Sequence, residues 1–361
     1  MHASGAEAKL PTPMAGLTLA ALRRLSRDPW VTDASSTADV CYDVVLQETL
    51  PEGWALSSVQ LPEGFIQHTY TKAADGQLIR RGGVRSDTTG EELLVPPPRG
   101  ATSYVDLMSA RGEGACVGTA NRFVSHAWLL LFREVLAALE AGLLGAGALV
   151  KLSDGRLGNI VRYEGKGDAY LVLVDGEEEL SAKAEELAPM HDAETETEIF
   201  LWFDICVINE HWPERFSKVF RDTFMEAVRD IGHTLLVLAP WVQPVVLSRS
   251  WCLWELNCTE QKECELTICL TNEQRQAFLA TAFKSATDVQ DAFGQIDSSQ
   301  ASAGSDADRD KIAAAIDAGV GFKALDGMIF ARLRDWALTR SRRRRPKRRR
   351  RRGARWRRRR R

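Results

Sequence analysis

The sequence has no CxxC pair, no histidine set close to a cysteine and only six histidines in 361 residues, which removes the usual zinc-binding spacings. Its seven cysteines, at 41, 116, 206, 252, 258, 264 and 269, are odd in number and mostly embedded in apolar runs. They read as reduced, buried thiols rather than a disulfide framework. The intervals of six, six and five residues from Cys252 to Cys269 match no common ligand pattern, so no metal is expected. No apolar segment approaches the roughly 18 to 20 residues needed to cross a bilayer. At the amino terminus Pro11 and Pro13 precede a short apolar stretch with no basic run before it, a poor secretion signal. A soluble, cytoplasmic protein without membrane contact is the expectation.

Acid is absent from the last 22 residues, RSRRRRPKRRRRRGARWRRRRR, which hold 17 of the 47 basic residues. The remaining 30 bases face 49 acids, so the formal net charge of -2 hides a body near -19 and a tail of opposite sign. Such an arginine block has no core to bury and repels itself, so residues 339–361 are expected to be a disordered tail. It suits nucleic acid, an acidic partner or nuclear import, and it carries no base-specific machinery.

What is present is mostly periodic. Residues 15 to 50 predict two short helices, the second opened by Ser36 with Asp39 three on, a capping-box spacing. LPEGW at 50–54 and LPEGF at 61–65 begin an irregular, turn-rich β region, and residues 1–115 are read as one amino-terminal unit. From there to 338 the pattern alternates. NRFVSHAW (121–128) predicts a strand, and Leu129, Phe132, Leu136, Leu139 and Leu143 recur at helical spacing. EIFLWFDICVIN (198–209) reads as a strand covered on both faces, with Phe216, Phe220, Phe224, Ala227 and Ile231 as the next helix. HTLLVLAPW (233–241), a helix around Glu255, and ELTICL (265–270) follow. Strands separated by helices predict an α/β fold with a parallel sheet. Residues 147–190, with Asp-Gly pairs between β-rich runs, predict an inserted antiparallel barrel similar to Tudor-like or KOW-like modules. After Thr271 the chain predicts a helical extension.

Glu255 stands out because Trp251, Cys252 and Cys258, at spacings of four, three and three, share its helix face. Either the carboxylate marks the outer edge of a core helix, or it is kept partly desolvated for chemistry. Asp204, late in its strand, is a second candidate that equally suits a loop cap or a partner for a base. Arg249 suits a phosphate or plain exposure, and His126 suits a ribose or phosphate contact or a structural role.

Three segments in order, FVSHAW (123–128), FLWFDICVIN and SRSWCLWEL (248–256), resemble the Toll/interleukin receptor (TIR) domain. SRSWCLWEL is very like the WCLxEL motif of plant members, and the SHAW and WCLWE segments are closer still to TIR-like domains of algae and protists. The likeness covers roughly residues 120–270 outside the inserted barrel. It implies a flavodoxin-like sheet, self-association and, in many members, cleavage of NAD between nicotinamide and ribose, with NAD as substrate and no cofactor. It places the catalytic role on Glu255, the nucleotide site on Trp251, and its border on Ser125, His126 and Trp128. A non-enzymatic TIR-like interaction module in signalling is the alternative.

One carboxylate is enough for that reaction. Ordinary glycoside hydrolysis needs two, because a poor leaving group must be protonated. Nicotinamide is cationic while bound to ribose and leaves neutral, so only the positive charge developing on the ribose needs stabilising.

Overall fold

Four of the apolar runs become neighbouring strands hydrogen-bonded in parallel: Arg122–Ser125, Phe200–Trp202, His233–Val237 and Glu265–Cys269. This is a computed structural model, and it describes residues 14–60, 66–74, 78–81, 98–165, 167–211, 220–284, 296–304 and 306–343. The arginine block from residue 344 onward, LPEGF and most of the loop NEHWPERF lie outside the described residues. Across the sheet the strands run Glu265–Cys269, His233–Val237, Arg122–Ser125, Phe200–Trp202, then Ala15–Thr18 and Val117–Thr119. The last two pair antiparallel, so the sheet is mixed and not wholly parallel as expected.

Ala15–Thr18 was expected to be helical, and its strand state has a packing cause. A side chain at Gly16 would stand 3.0 Å from the Leu201 carbonyl oxygen, so glycine lets this backbone lie close to its neighbour. Leu17 is fully buried there, and Thr18 caps the helix Leu19–Leu25 by accepting from Ala21 N. A second difference falls in EIFLWFDICVIN, where the strand stops at Trp202 and Asp204–Val207 is a helical turn. Asp204 accepts from Ile205 N at 2.8 Å, and this local bond competes with the sheet ladder. Ser36 and Asp39 form the expected capping box, at the head of Thr37–Val40.

Helices cover both faces of the sheet. Thr234 hydroxyl meets Thr259 of the helix Ser250–Gln261 at 2.8 Å, whereas Cys269, on the opposite pleat, faces Gly142 of Phe132–Leu143. A Cβ at Gly142 would lie within van der Waals overlap of Cys269 Sγ, so glycine sets that close approach. Phe220–Ile231, Asn272–Lys284, Asp306–Ala318 and Phe322–Arg343 complete the helical layers, with Ile312, Ile316, Leu325, Ile329 and Leu333 buried in the same core. The helical extension therefore closes over Ser250–Gln261, and Arg332 bonds Glu260 at 2.6 Å.

The insert is a separate antiparallel sheet with its own core of Val150, Ile160, Tyr170, Val172, Val174 and Leu187. Asp175 and Gly176, at φ 50° and 77°, are the central residues of the turn closed by Glu177 N to Val174 O. Buried Arg23 anchors the insert, bonding Glu140 at 2.6 Å and the Leu187 carbonyl at 3.2 Å. Among the described residues no helix is long and apolar enough to cross a membrane.

The amino-terminal β region forms a three-stranded antiparallel sheet, Trp54–Gln60, Ile66–Lys72 and Leu78–Arg81. Fully buried His211 fastens it to the loop after Asp204–Val207. Thr49 Oγ1 donates to Val45 O at 2.7 Å, so it accepts from His211 Nε2 at 2.8 Å, and Nδ1 accepts from the Tyr70 hydroxyl at 3.2 Å. His211→Phe removes both bonds in a buried setting and is expected to cost about 1–3 kcal/mol. A denaturant midpoint unchanged from wild type would show that the latch holds nothing.

Candidate active site

The site begins at the carboxyl ends of the Arg122–Ser125 and Phe200–Trp202 strands, where open parallel sheets gather ligands. Ser125 ends the first strand and is fully buried. His126 follows, stacked on Phe203 with centroids 4.6 Å apart and an 18° interplanar angle. Asp204 lies beyond the second strand, and its Oδ2 accepts from Trp128 Nε1 at 2.7 Å. The helix Ser250–Gln261 brings Cys252 against the loop, where its thiol donates to the His126 carbonyl at 3.2 Å. One turn on, Glu255 enters the same ground.

The Ser250–Gln261 helix has no solvent face over Cys252 to Thr259, all of which are buried. Glu255 is therefore not at an exposed edge; it is 8% exposed. Burial pushes its carboxyl well above the usual range and the Asp204 charge adds to this, while the nearby Ser125 hydroxyl opposes both. Ser125 lies near enough to act on Glu255, yet Ser125 Oγ and Glu255 Oε2 form no hydrogen bond of ordinary geometry. His126 Nε2 is likewise buried without a hydrogen bond, 3.9 Å from Asp204 Oδ1. Desolvation lowers the His126 pKa against the pull of Asp204, which favours the neutral ring. Two buried polar atoms, Ser125 Oγ and His126 Nε2, and one oxygen of the Glu255 carboxyl thus have their bonding capacity unused. Such groups cost stability, and they are what a polar ligand would satisfy.

The predicted residues divide accordingly. Ser125, His126, Asp204 and Glu255 come together, and Trp128 joins through Asp204. Asp204 occupies a helical turn rather than the predicted strand, though it keeps its place at the sheet's carboxyl end. Leu129 lies outside the Phe132–Leu143 helix and is 65% exposed. Arg249 is turned away, its Nη1 donating to Ser302 Oγ at 3.0 Å. Trp251 is half-buried against the main core. A cavity of about 270 Å³, lined by Ser250, Ser298, Ala301, Arg309, Ile312 and Phe322, opens beside the head of this helix, without Glu255 in its lining. Among the described residues no group of three or more histidine, cysteine or acidic side chains could hold a metal ion.

Sequence reasoning missed Phe203, the ring beneath His126, and Tyr42, which meets Trp128 edge-on at 6.2 Å. Phe203 was visible inside FLWF as core. Tyr42 had no signal, because nothing in the amino-terminal pattern says which loop its helix will touch. No family model, curated protein or solved structure matches this chain.

Proposed function

We propose that the chain is a TIR-like protein that cleaves NAD between nicotinamide and ribose, with Glu255 as the single catalytic carboxylate. Support begins with the fold. The four parallel strands, counted in chain order, lie 2-1-3-4, the order of flavodoxin-like sheets. The carrying observation is the buried, unbonded Glu255 Oε2 beside Ser125 at the carboxyl ends of those strands.

Burial favours the protonated form of the Glu255 carboxyl. A cationic nicotinamide ring brought near it favours the carboxylate, and the low-dielectric surroundings then strengthen the attraction to charge developing on the ribose. Ser125 is placed to hold that carboxylate or a ribose hydroxyl. Asp204, held by Trp128, adds negative potential. No cofactor enters, and self-association is the state in which activity is expected.

The second reading, a TIR-like interaction module in signalling, is favoured by one observation: Glu255 is 8% exposed beneath a loop fixed by the Trp128–Asp204 bond. Free nicotinamide released from NAD separates the two. The self-associated protein is expected to turn over, Glu255→Ala to lose at least about 100-fold, and the rate to rise with pH through a pKa above the usual carboxylate range. Turnover untouched by Glu255→Ala would remove Glu255 from the mechanism. No release at any pH in a self-associated preparation would leave the interaction module.

A further inference from the structure

Buried Glu255 can meet a ligand only after something moves, and the loop above it is tied down from a distant part of the chain. That loop, residues 127–131, joins the Arg122–Ser125 strand to the Phe132–Leu143 helix. Three main-chain bonds fasten it to residues 35–38: Ala38 N donates to Trp128 O at 3.0 Å, Thr37 N to Leu130 O at 2.9 Å, and Phe132 N to Ser35 O at 2.9 Å. Ser36 and Leu131 face each other there as an isolated antiparallel bridge. Arg133 grips the chain just before this segment. Its Nη2 donates to Ser26 O at 3.1 Å and Val31 O at 2.9 Å, and its Nη1 pairs with Asp33. Val31 and Val40, on either side, are buried in the main core, so both ends of the segment are seated.

The closed loop is held against opposing effects. Ser125 Oγ, His126 Nε2 and Glu255 Oε2 are buried without a hydrogen bond of ordinary geometry, and each carries a desolvation cost that water entering would remove. Leu129, between the two pinned carbonyls, is exposed and adds little packing, although Ala127 and Leu130 are buried. Besides the three main-chain bonds, the loop's polar tie is Trp128 Nε1 to Asp204. A short loop with a costly floor and a few holding bonds belongs to the least stable part of a fold, the part that opens first.

The geometry points to residues 35–38 as a strap that keeps the 127–131 loop shut over Glu255, so that the amino-terminal region controls access to the candidate site. Releasing the strap opens the loop without unfolding the sheet. The effect on turnover rests on the NAD-cleaving reading, whereas the opening itself does not. Cys252 reports the opening, since its buried thiol donates to His126 O at the foot of the loop, one turn before Glu255.

Thr37→Pro in the full chain cuts the strap with little local strain. Ser36 is extended, at φ -71° and ψ 169°, as a residue before proline prefers, and Thr37 is the first residue of its helix, where proline is favoured. The change removes the amide donor to Leu130 O and the Thr37 hydroxyl beside it, at 3.4 Å. Arg133→Met frees the other grip and leaves residues 127–131 untouched. Alkylation by iodoacetamide is followed at each cysteine by peptide mass spectrometry, with Cys269, buried on the opposite face of the sheet, as the gauge of general loosening. Thr37→Pro is expected to speed Cys252 alkylation about 2- to 12-fold, the range for one lost main-chain bond, with Cys269 unchanged and Arg133→Met moving the same way. Nicotinamide release from NAD at low substrate should rise by the same factor, because the open fraction sets the apparent affinity. Unchanged Cys252 alkylation in a folded Thr37→Pro would overturn the strap, and if that variant does not fold, unchanged alkylation in Arg133→Met would do so. An equal rise at Cys269 would overturn it as well. Faster Cys252 alkylation with no nicotinamide release by any form would keep the strap and remove the hydrolase. Release by wild type, with neither rate altered in the variants, would do the reverse.

Discussion

Glutamine at position 255 is expected to make the protein more stable than wild type at neutral pH, by a margin that widens as pH rises. Burial and the Asp204 charge hold the Glu255 carboxyl well above its ordinary pKa in the folded chain. The folded state therefore keeps a proton that the unfolded state gives up. Wild-type stability attributable to this group is intact below the ordinary carboxylate range, near 4.3, and falls by about 1.4 kcal/mol for each pH unit above it until the folded pKa is reached. Glutamine is nearly the same shape, carries no charge at any pH and offers Ser125 Oγ a donor. Melts of wild type and Glu255→Gln at pH 5, 6, 7 and 8 check this. The two curves should lie close at pH 5 and separate steadily above it. Parallel curves would mean that Glu255 is solvated and ionised in the folded chain. The stabilised variant should also be the inactive one, because the charge that costs stability is the charge the proposed reaction uses.

The residues that were legible in the sequence share one property: their partners are dictated locally or by burial alone. Leu235, Leu236 and Val237 announce a covered strand whatever lies beside them, and all are buried as expected. Ser36 with Asp39 closes a cap within one turn. Asp175 and Gly176 adopt the turn their types favour. Ala15–Thr18 was not legible because AGLT continues smoothly into LAALRRL, and only the edge of a distant strand decides where the helix begins. Asp204 was misplaced for a related reason. FLWFDICV has strand composition throughout, and its second half is a helical turn closed by Val207 N to Phe203 O and Ile208 N to Asp204 O. At the candidate site, Glu255, Ser125, His126 and Asp204 were singled out from the WCLWEL segment and the strand ends, which the sequence carries. The engagement of Arg249 with Ser302 and of Trp128 with Asp204 depends on pairs 53 and 76 residues apart. No periodicity reports such pairs.

Phe203→Ala should be among the most damaging single changes around this site, at about 3–5 kcal/mol. The ring is fully buried at the end of the Phe200–Trp202 strand, stacked on His126 at 4.6 Å and edge-on to Phe132 at 6.2 Å. Alanine removes the buried area and leaves a cavity under the imidazole. Leucine fills most of that space and should cost under about 1.5 kcal/mol. The pH dependence supplies a second readout. His126 is held neutral because desolvation lowers its pKa, so folding binds fewer protons there than the unfolded chain does. Its contribution is lost as pH falls below the unfolded value, near 6.5, through the lowered folded value. Water entering the Phe203→Ala cavity raises the folded pKa toward the ordinary one. The penalty measured by urea denaturation should therefore shrink between pH 7 and pH 5 in the alanine variant, with little change for leucine. A cost below about 1 kcal/mol would place the ring outside the packed core. A penalty independent of pH would separate it from His126, and the neutral imidazole beside Asp204 would then owe its state to the strand end alone.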